Sequence, residues 1–215
     1  LIQSEKLAVT GTLAASISHD IRNILSSISL ALEMNPSESS GLQEAIQPHL
    51  DRFHLLSHRL LSFVKPASLV HEPVDLEDVL QRVSLLLEAQ LRSAGCRLEL
   101  DYPPDLREIQ ADPLRMDHLL INLVMNAVQS YEGRPGVVRV TILQDGQTTS
   151  ILVKDQGKGL PTDRSEDLFK PFVSRRTGGT GLGLFSCRQI ALELGGTIVG
   201  QNLPEGGAQF KVELP

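Results

Sequence analysis

The chain has 215 residues, 41% of them apolar and 21% charged, with a formal net charge of −6 at pH 7. That apolar share is enough for a packed core and excludes a disordered chain, while the acidic balance excludes a general nucleic-acid binder, which needs a basic face. No run of about 20 apolar residues occurs, so no membrane-spanning helix is expected within it, and the length fits one large domain or two small ones.

The chain opens at Leu1, without Met or a secretory leader pattern and already in helical rhythm. It reads as a piece of a longer protein, with any sensor or membrane segment upstream. Thr10, Ala14, Ile17, Ile21, Ile24, Ile28 and Ala31 recur at 4-3-4-3-4-3 spacing. After a polar break from Asn35 to Gly41 the rhythm returns in Leu42, Ile46, His49, Phe53, Leu56, Leu60 and Phe63. Coiled-coil spacing on two segments with a short connection predicts an α-helical hairpin, ended by Lys65-Pro66. A lone hairpin leaves its apolar stripes half covered. The expected state is therefore a homodimer, with two hairpins forming a four-helix bundle.

The domains expected are 1–66 for dimerisation, a linker over 67–74, and a mixed domain over 75–215. In the last, a helix is expected over Leu76 to Ser93 and a strand over Arg97 to Leu100. A second helix follows Asp112-Pro113, where Asp caps free N–H groups and Pro takes the first turn. Strands over Val137 to Leu143 and Ser150 to Lys154 join through Asp145-Gly146. A polar, Gly-rich stretch from Gln156 to Thr180 precedes a helix over Leu182 to Leu194, stopped by Gly195-Gly196. Strands over Thr197 to Gln201 and Ala208 to Glu213 end the chain. The order predicts an α+β sandwich with helices on one face of a mixed sheet. Cys96 and Cys187 match no metal spacing and read as reduced, buried cysteines of a cytoplasmic protein.

Four clusters carry candidate chemistry. His19 lies about 200° around its helix from both Ile17 and Ile21, so it faces away from the apolar stripe, and an exposed imidazole suits a nucleophile or phosphate carrier. Asp20 can orient the ring, and Asn23 lies one turn on, roughly on the same face. His54, His58, His71 and His118 read as ordinary surface histidines. On the second helix Arg115, His118, Asn122, Asn126 and Gln129 form a polar stripe. Such a stripe is either a solvated face or, through the amide oxygens of Asn122 and Asn126, a Mg²⁺ site. Asp155, Gly157 and Gly159 follow a strand; a carboxylate there can accept from the exocyclic amine of adenine, or the segment is a plain turn. Gly178-Gly179-Thr180-Gly181-Leu182-Gly183-Leu184 opens the last helix, where backbone N–H groups can approach phosphates. It has neither the dinucleotide fingerprint nor the P-loop ending. Between the glycine clusters, Leu160 to Thr177 reads as a mobile lid pinned by Phe169 and Phe172. Arg175 or Arg176 would clamp a terminal phosphate or serve as an ordinary surface arginine.

Taken in order, these motifs resemble the two-component sensor histidine kinases. Ser18-His19-Asp20-Ile21-Arg22-Asn23 resembles their phosphoacceptor box, Asn122-Leu-Val-Met-Asn126-Ala127 the asparagine box, and Asp155-x-Gly157-x-Gly159 the first glycine box. Leu168-Phe169-Lys170-Pro171-Phe172 resembles the phenylalanine box, and Gly179-Thr180-Gly181-Leu182-Gly183-Leu184 the last glycine box. The short lid is most similar to the nitrogen-regulator subgroup. The resemblance implies a Bergerat, or GHKL, ATP-binding fold behind a dimeric phosphoacceptor domain. It implies ATP and Mg²⁺ as cofactors and the receiver domain of a response regulator as partner. It implies that His19 takes the γ-phosphoryl group with Asp20 assisting, and that Asn23 supports a phosphatase step. It also implies that Asn126 with Asn122 handles Mg²⁺ and that Asp155 reads adenine. Gly179, Gly181 and Gly183, with Thr180, Leu182 and Leu184, would line the phosphate path, and Arg176 stands where relatives often carry a lid Lys. The sequence departs from the family at Ile24, where Pro is usual, at Gln129-Ser130 in place of Lys-Tyr, and at Asp20 in place of Glu. A hydrolytic ATPase of the same fold and a non-enzymatic dimeric scaffold are the alternatives.

Overall fold

The computed structural model describes residues 72–161, 165–171, 181 and 183–215. The expected helical hairpin, with His19, Asp20 and Asn23, lies outside them, as do Phe172, Arg175, Arg176, Gly179, Thr180 and Leu182. All described residues belong to one unit, Pro66–Pro215.

Helix α1 spans Leu76–Ser93, as the apolar spacing predicts. Asp75 caps it, its carboxylate accepting from Glu77 N at 2.8 Å. Leu76, Val79, Leu80, Val83, Leu87 and Leu91 form its buried stripe, each burial being worth about 1.5–3 kcal/mol against exposure. Helix α2 spans Pro113–Ser130, with Asp112 accepting from Leu114 N at 3.0 Å and Arg115 N at 3.3 Å. It packs against α1, against a third helix α3 (Gly183–Glu193) and against the sheet, which leaves little of its circumference to solvent. That is why His118 is buried, only 3% exposed, and not the surface histidine expected. Helix α3 ends where Gly195 adopts a φ of 74° and the Gly196 N–H returns to Ala191 O at 2.8 Å.

Seven strands are described: β1 (Glu72–Val74), β2 (Cys96–Asp101), β3 (Ile109–Ala111), β4 (Gly136–Asp145), β5 (Thr148–Lys154), β6 (Thr197–Asn202) and β7 (Ala208–Leu214). Five form one sheet in the order β2-β4-β5-β7-β6, with β2 and β4 parallel and every other pair antiparallel. The crossover from β2 to β4 carries β3 and α2. Val138, Val140, Ile142, Ile151, Val153, Phe210 and Val212 bury one face under the helices, whereas Arg139, Leu143 and Val199 on the other face are exposed. This is the one-sided α+β sandwich that the element order predicts.

The small β1–β3 sheet was not expected. Glu72, Pro73 and Val74 pair antiparallel with Ala111, Gln110 and Ile109, so the last three residues assigned to a linker are a strand, with Val74 buried. A short 3-10 helix over Ser165–Phe169 also stands inside the stretch read as a lid. Cys96 and Cys187 are free and buried, as expected. Among the described residues no helix is long and apolar enough to cross a membrane.

Candidate active site

Asn122, Asn126 and Ser130 lie four residues apart on α2, so they share one line along the helix about 12 Å long. At the Ser130 end stands Asp155, just past the end of β5 and 3% exposed. Its Oδ1 accepts from Ser130 Oγ at 2.8 Å and from Gly157 N at 2.8 Å. Burial pushes the Asp155 carboxyl above its ordinary value, and the donors from Ser130, Gly157 and Ala208 act against that rise. The residue is therefore a sheltered acceptor, desolvated but held by directed bonds.

The loop from Asp155 to Leu160 is braced on three sides. Ser130 O accepts from Lys158 N at 3.1 Å, and the Lys158 ammonium pairs with Glu132. The Tyr131 hydroxyl accepts from Gln156 N at 2.9 Å and donates to Val137 O at 2.7 Å. Asn202 Oδ1 accepts from Leu160 N at 2.6 Å, while its amide donates to Leu160 O at 3.2 Å. Two glycines are steric necessities here. A Cβ on Gly157 would overlap the Ser130 hydroxyl and approach the Ser130 carbonyl carbon to 2.7 Å. Gly159 has a φ of 75°, and a Cβ there would come within 2.6 Å of Asn202 Oδ1.

At the other end of the line, Asn122 is 5% exposed and donates to His118 O at 3.0 Å. Its Oδ1 is directed at the first residue of α3, where a Cβ on Gly183 would sit 3.3 Å away. Gly183 thus meets α2 at Asn122, with Gly181 (φ 64°) and Leu184 next to it in sequence, and the N-terminus of α3 adds positive potential there. Asn126 is half-buried, and its carboxamide bonds to no other described residue. A free amide oxygen beside a directed one suits Mg²⁺, which takes oxygen ligands and few protein groups.

The polar stripe on α2 is not one site. Arg115 turns to Glu193 at the far end of α3 (2.9 Å), His118 is interior, and Gln129 is exposed. Phe169, inside the stretch expected to be a lid, is packed into the core. It is 4% exposed and meets the Phe210 ring edge-on, with centroids 6.3 Å apart. The described structure therefore joins Asp155, Gly157 and Gly159 at one end of the line, and Asn122, Gly181, Gly183 and Leu184 at the other, with Asn126 between them. Ser130, Tyr131 and Asn202 were missed as site residues. The sequence marked Ser130 only as a departure from Tyr, and Asn202 gives no signal because its partner lies 42 residues away.

Residues 111–215 match the family model described as histidine kinase-, DNA gyrase B-, and HSP90-like ATPase. The chain is 37% identical over 220 residues to the sensor histidine kinase ZraS of Klebsiella oxytoca, covering 99% of this chain and 47% of ZraS. It thus spans about half the length of that curated relative. The solved catalytic domain of histidine kinase ThkA superposes with a TM-score of 0.61 at 30% identity, covering 67% of this chain and 95% of that domain. ThkA in complex with the response regulator protein TrrA gives a TM-score of 0.65 at 25% identity, covering 99% of this chain and 63% of that one. On these matches the chain belongs to the sensor histidine kinase family and carries its GHKL-superfamily ATPase domain.

Proposed function

We propose that this chain phosphorylates its own His19 from ATP and passes the phosphoryl group to an aspartate of a response-regulator receiver domain. The observation that carries the reading is the line on α2, with a buried carboxylate at one end and a glycine-bearing helix N-terminus at the other. It is polar in the order that a nucleotide is: base amine toward Asp155, phosphates toward Gly181, Gly183 and Leu184. Gly179, Thr180, Leu182 and Arg176 would complete the phosphate side. Asn126 and Asn122 would hold Mg²⁺. When bound, the ion supplies charge neutralisation and alignment of the phosphate oxygens.

The imidazole of His19 would form a bond to the γ-phosphorus as the bond to the bridging oxygen breaks, ADP leaving with the electron pair. Asp20 would orient the ring and take its proton, and Asn23 would support a reverse, phosphatase step. Residues 1–66 would pair with a second copy as a four-helix bundle. The ThkA–TrrA complex supports a receiver domain as partner.

A purely hydrolytic ATPase fits less well. The resemblance places the hydrolytic base of such relatives as a Glu one turn before the metal Asn, where this chain has Asn122. A carboxamide takes no proton at neutral pH, so transfer is favoured over hydrolysis. Incubating the 215-residue chain with γ-labelled ATP decides between them. The expected result is acid-labile label on the protein, absent in His19→Gln and in Asp155→Ala. Label on an equimolar mixture of those two variants would place transfer across a dimer. Steady phosphate release with no label on the wild type would overturn the kinase reading.

A further inference from the structure

Ser130 closes α2 against the loop that follows β5, and it holds that loop in three ways. Its carbonyl accepts from Lys158 N at 3.1 Å, it occupies the space that a side chain at 157 would need, and its hydroxyl reaches Asp155. The hydroxyl oxygen lies 2.7 Å from Ala127 O and 2.8 Å from Asp155 Oδ1. A hydroxyl has one proton, so it donates to one of these oxygens at a time. With Asp155 ionised, two bare oxygens 2.8 Å apart would repel, so the proton is drawn to the carboxylate. Oδ1 then accepts from both Ser130 and the Gly157 amide, which uses its two lone pairs. The acceptor capacity left for a ligand is on Oδ2.

We infer that Ser130 is a specificity-setting positioning residue, whose hydroxyl holds Asp155 with Oδ1 satisfied and Oδ2 turned to the ligand, so that the pocket selects a 6-amino purine over a 6-oxo purine. The inference rests on the reading of Asp155 as the residue that receives the base. A 6-amino group offers an N–H to Oδ2. A 6-oxo group offers only a lone pair, which the carboxylate repels. Without the Ser130 hydroxyl, Oδ1 keeps one donor in place of two, and the carboxyl is freer to rotate or to take up a proton. A protonated carboxyl donates, and a donor accepts the 6-oxo group that the ionised form rejects.

Calorimetric titration of the 215-residue chain with ADP and with IDP, which differ at that position of the base, tests this. The wild type is expected to prefer ADP. Ser130→Ala is expected to weaken ADP about tenfold while changing IDP less than about twofold, and Ser130→Thr, which keeps the hydroxyl, to restore the preference. Should the Ala variant fail to fold by circular dichroism, Ser130→Cys replaces it as a near-isosteric weak donor, with the same loss expected. A Ser130→Ala or Ser130→Cys variant that keeps the wild-type ADP-to-IDP ratio, or loses both ligands equally, overturns the role given to Ser130 and leaves the reading of Asp155 standing. A wild type that binds ADP and IDP equally well overturns both.

Discussion

Burying the Asp155 carboxylate carries a cost for the fold. Burial raises its pKa above the ordinary 3.8, so the folded chain holds the proton more tightly than the unfolded one. The linkage sign follows: this group favours folding at low pH, and that contribution is lost as pH rises from the ordinary value through the raised folded value. Asp155→Asn removes the charge while keeping an oxygen for Ser130 and Gly157. Its melting temperature without nucleotide is expected to exceed the wild type's by about 2–4 °C at pH 7, with the gap closing in acid. ADP should no longer stabilise it, because the amide then aims a donor where the base amine also donates. An Asp155→Asn variant that melts below the wild type at pH 7 would show that the carboxylate stabilises the empty fold. Gly157→Ala is expected to be harsher than Ser130→Ala, since the added methyl meets the backbone of Ser130 as well as its hydroxyl, and no substitution at 130 relieves that. Its nucleotide binding should vanish, and a second change at Ser130 should not bring it back.

Helix α3 lies antiparallel on α2 with contacts along its length: Gly183 against Asn122, Cys187 Sγ 3.7 Å from Leu119 O, and Glu193 against Arg115. The last is an ion pair at 2.9 Å, with side chains 12% and 22% exposed. The Glu193 oxygen accepts no well-aligned N–H there, so the attraction is mainly Coulombic. Breaking it by Arg115→Ala strands a largely buried carboxylate. The expected loss is about 1–3 kcal/mol of unfolding free energy, seen as a lower denaturant midpoint, and Arg115→Glu with Glu193→Arg should recover part of it. Equal midpoints for Arg115→Ala and the wild type would mean that the pair adds nothing. The long elements were legible in the sequence because their periodicity is long enough to read: six buried positions fix α1, and alternating Val138, Val140 and Ile142 fix β4. β1 and β3 were not, because three residues show no period and their pairing joins positions 35 to 39 apart. The stripe on α2 misled for a related reason. Polar side chains at helical spacing look alike in sequence, and only the packing of α1, α3 and the sheet separates a buried His118 from an exposed Gln129.

The glycines of the candidate site were legible because close packing demands that residue type, as at Gly157 against Ser130 and Gly159 against Asn202. The bracing was not, since Tyr131 and Asn202 act through contacts that only the folded sheet creates. At the scale of the whole chain, the described core residues beneath the sheet all lie in the unit Pro66–Pro215. Every described residue that touches Asp155 belongs to it too. A polypeptide of residues 66–215 is therefore expected to fold alone, melt cooperatively and bind ADP within about threefold of the full chain, since affinities set by one intact pocket change little when a separate part is removed. It lacks His19, so it should take no label from γ-labelled ATP. Mixed with a 215-residue Asp155→Ala chain, which carries His19 but no working pocket, it should restore label to the longer partner, at a rate that rises with its concentration because the two must meet in solution. Such labelling would separate the donor half of the reaction from the acceptor half. If residues 66–215 bind ADP as the full chain does, yet leave the Asp155→Ala partner unlabelled at every concentration, phosphoryl transfer requires the two halves on one polypeptide or in one preformed dimer.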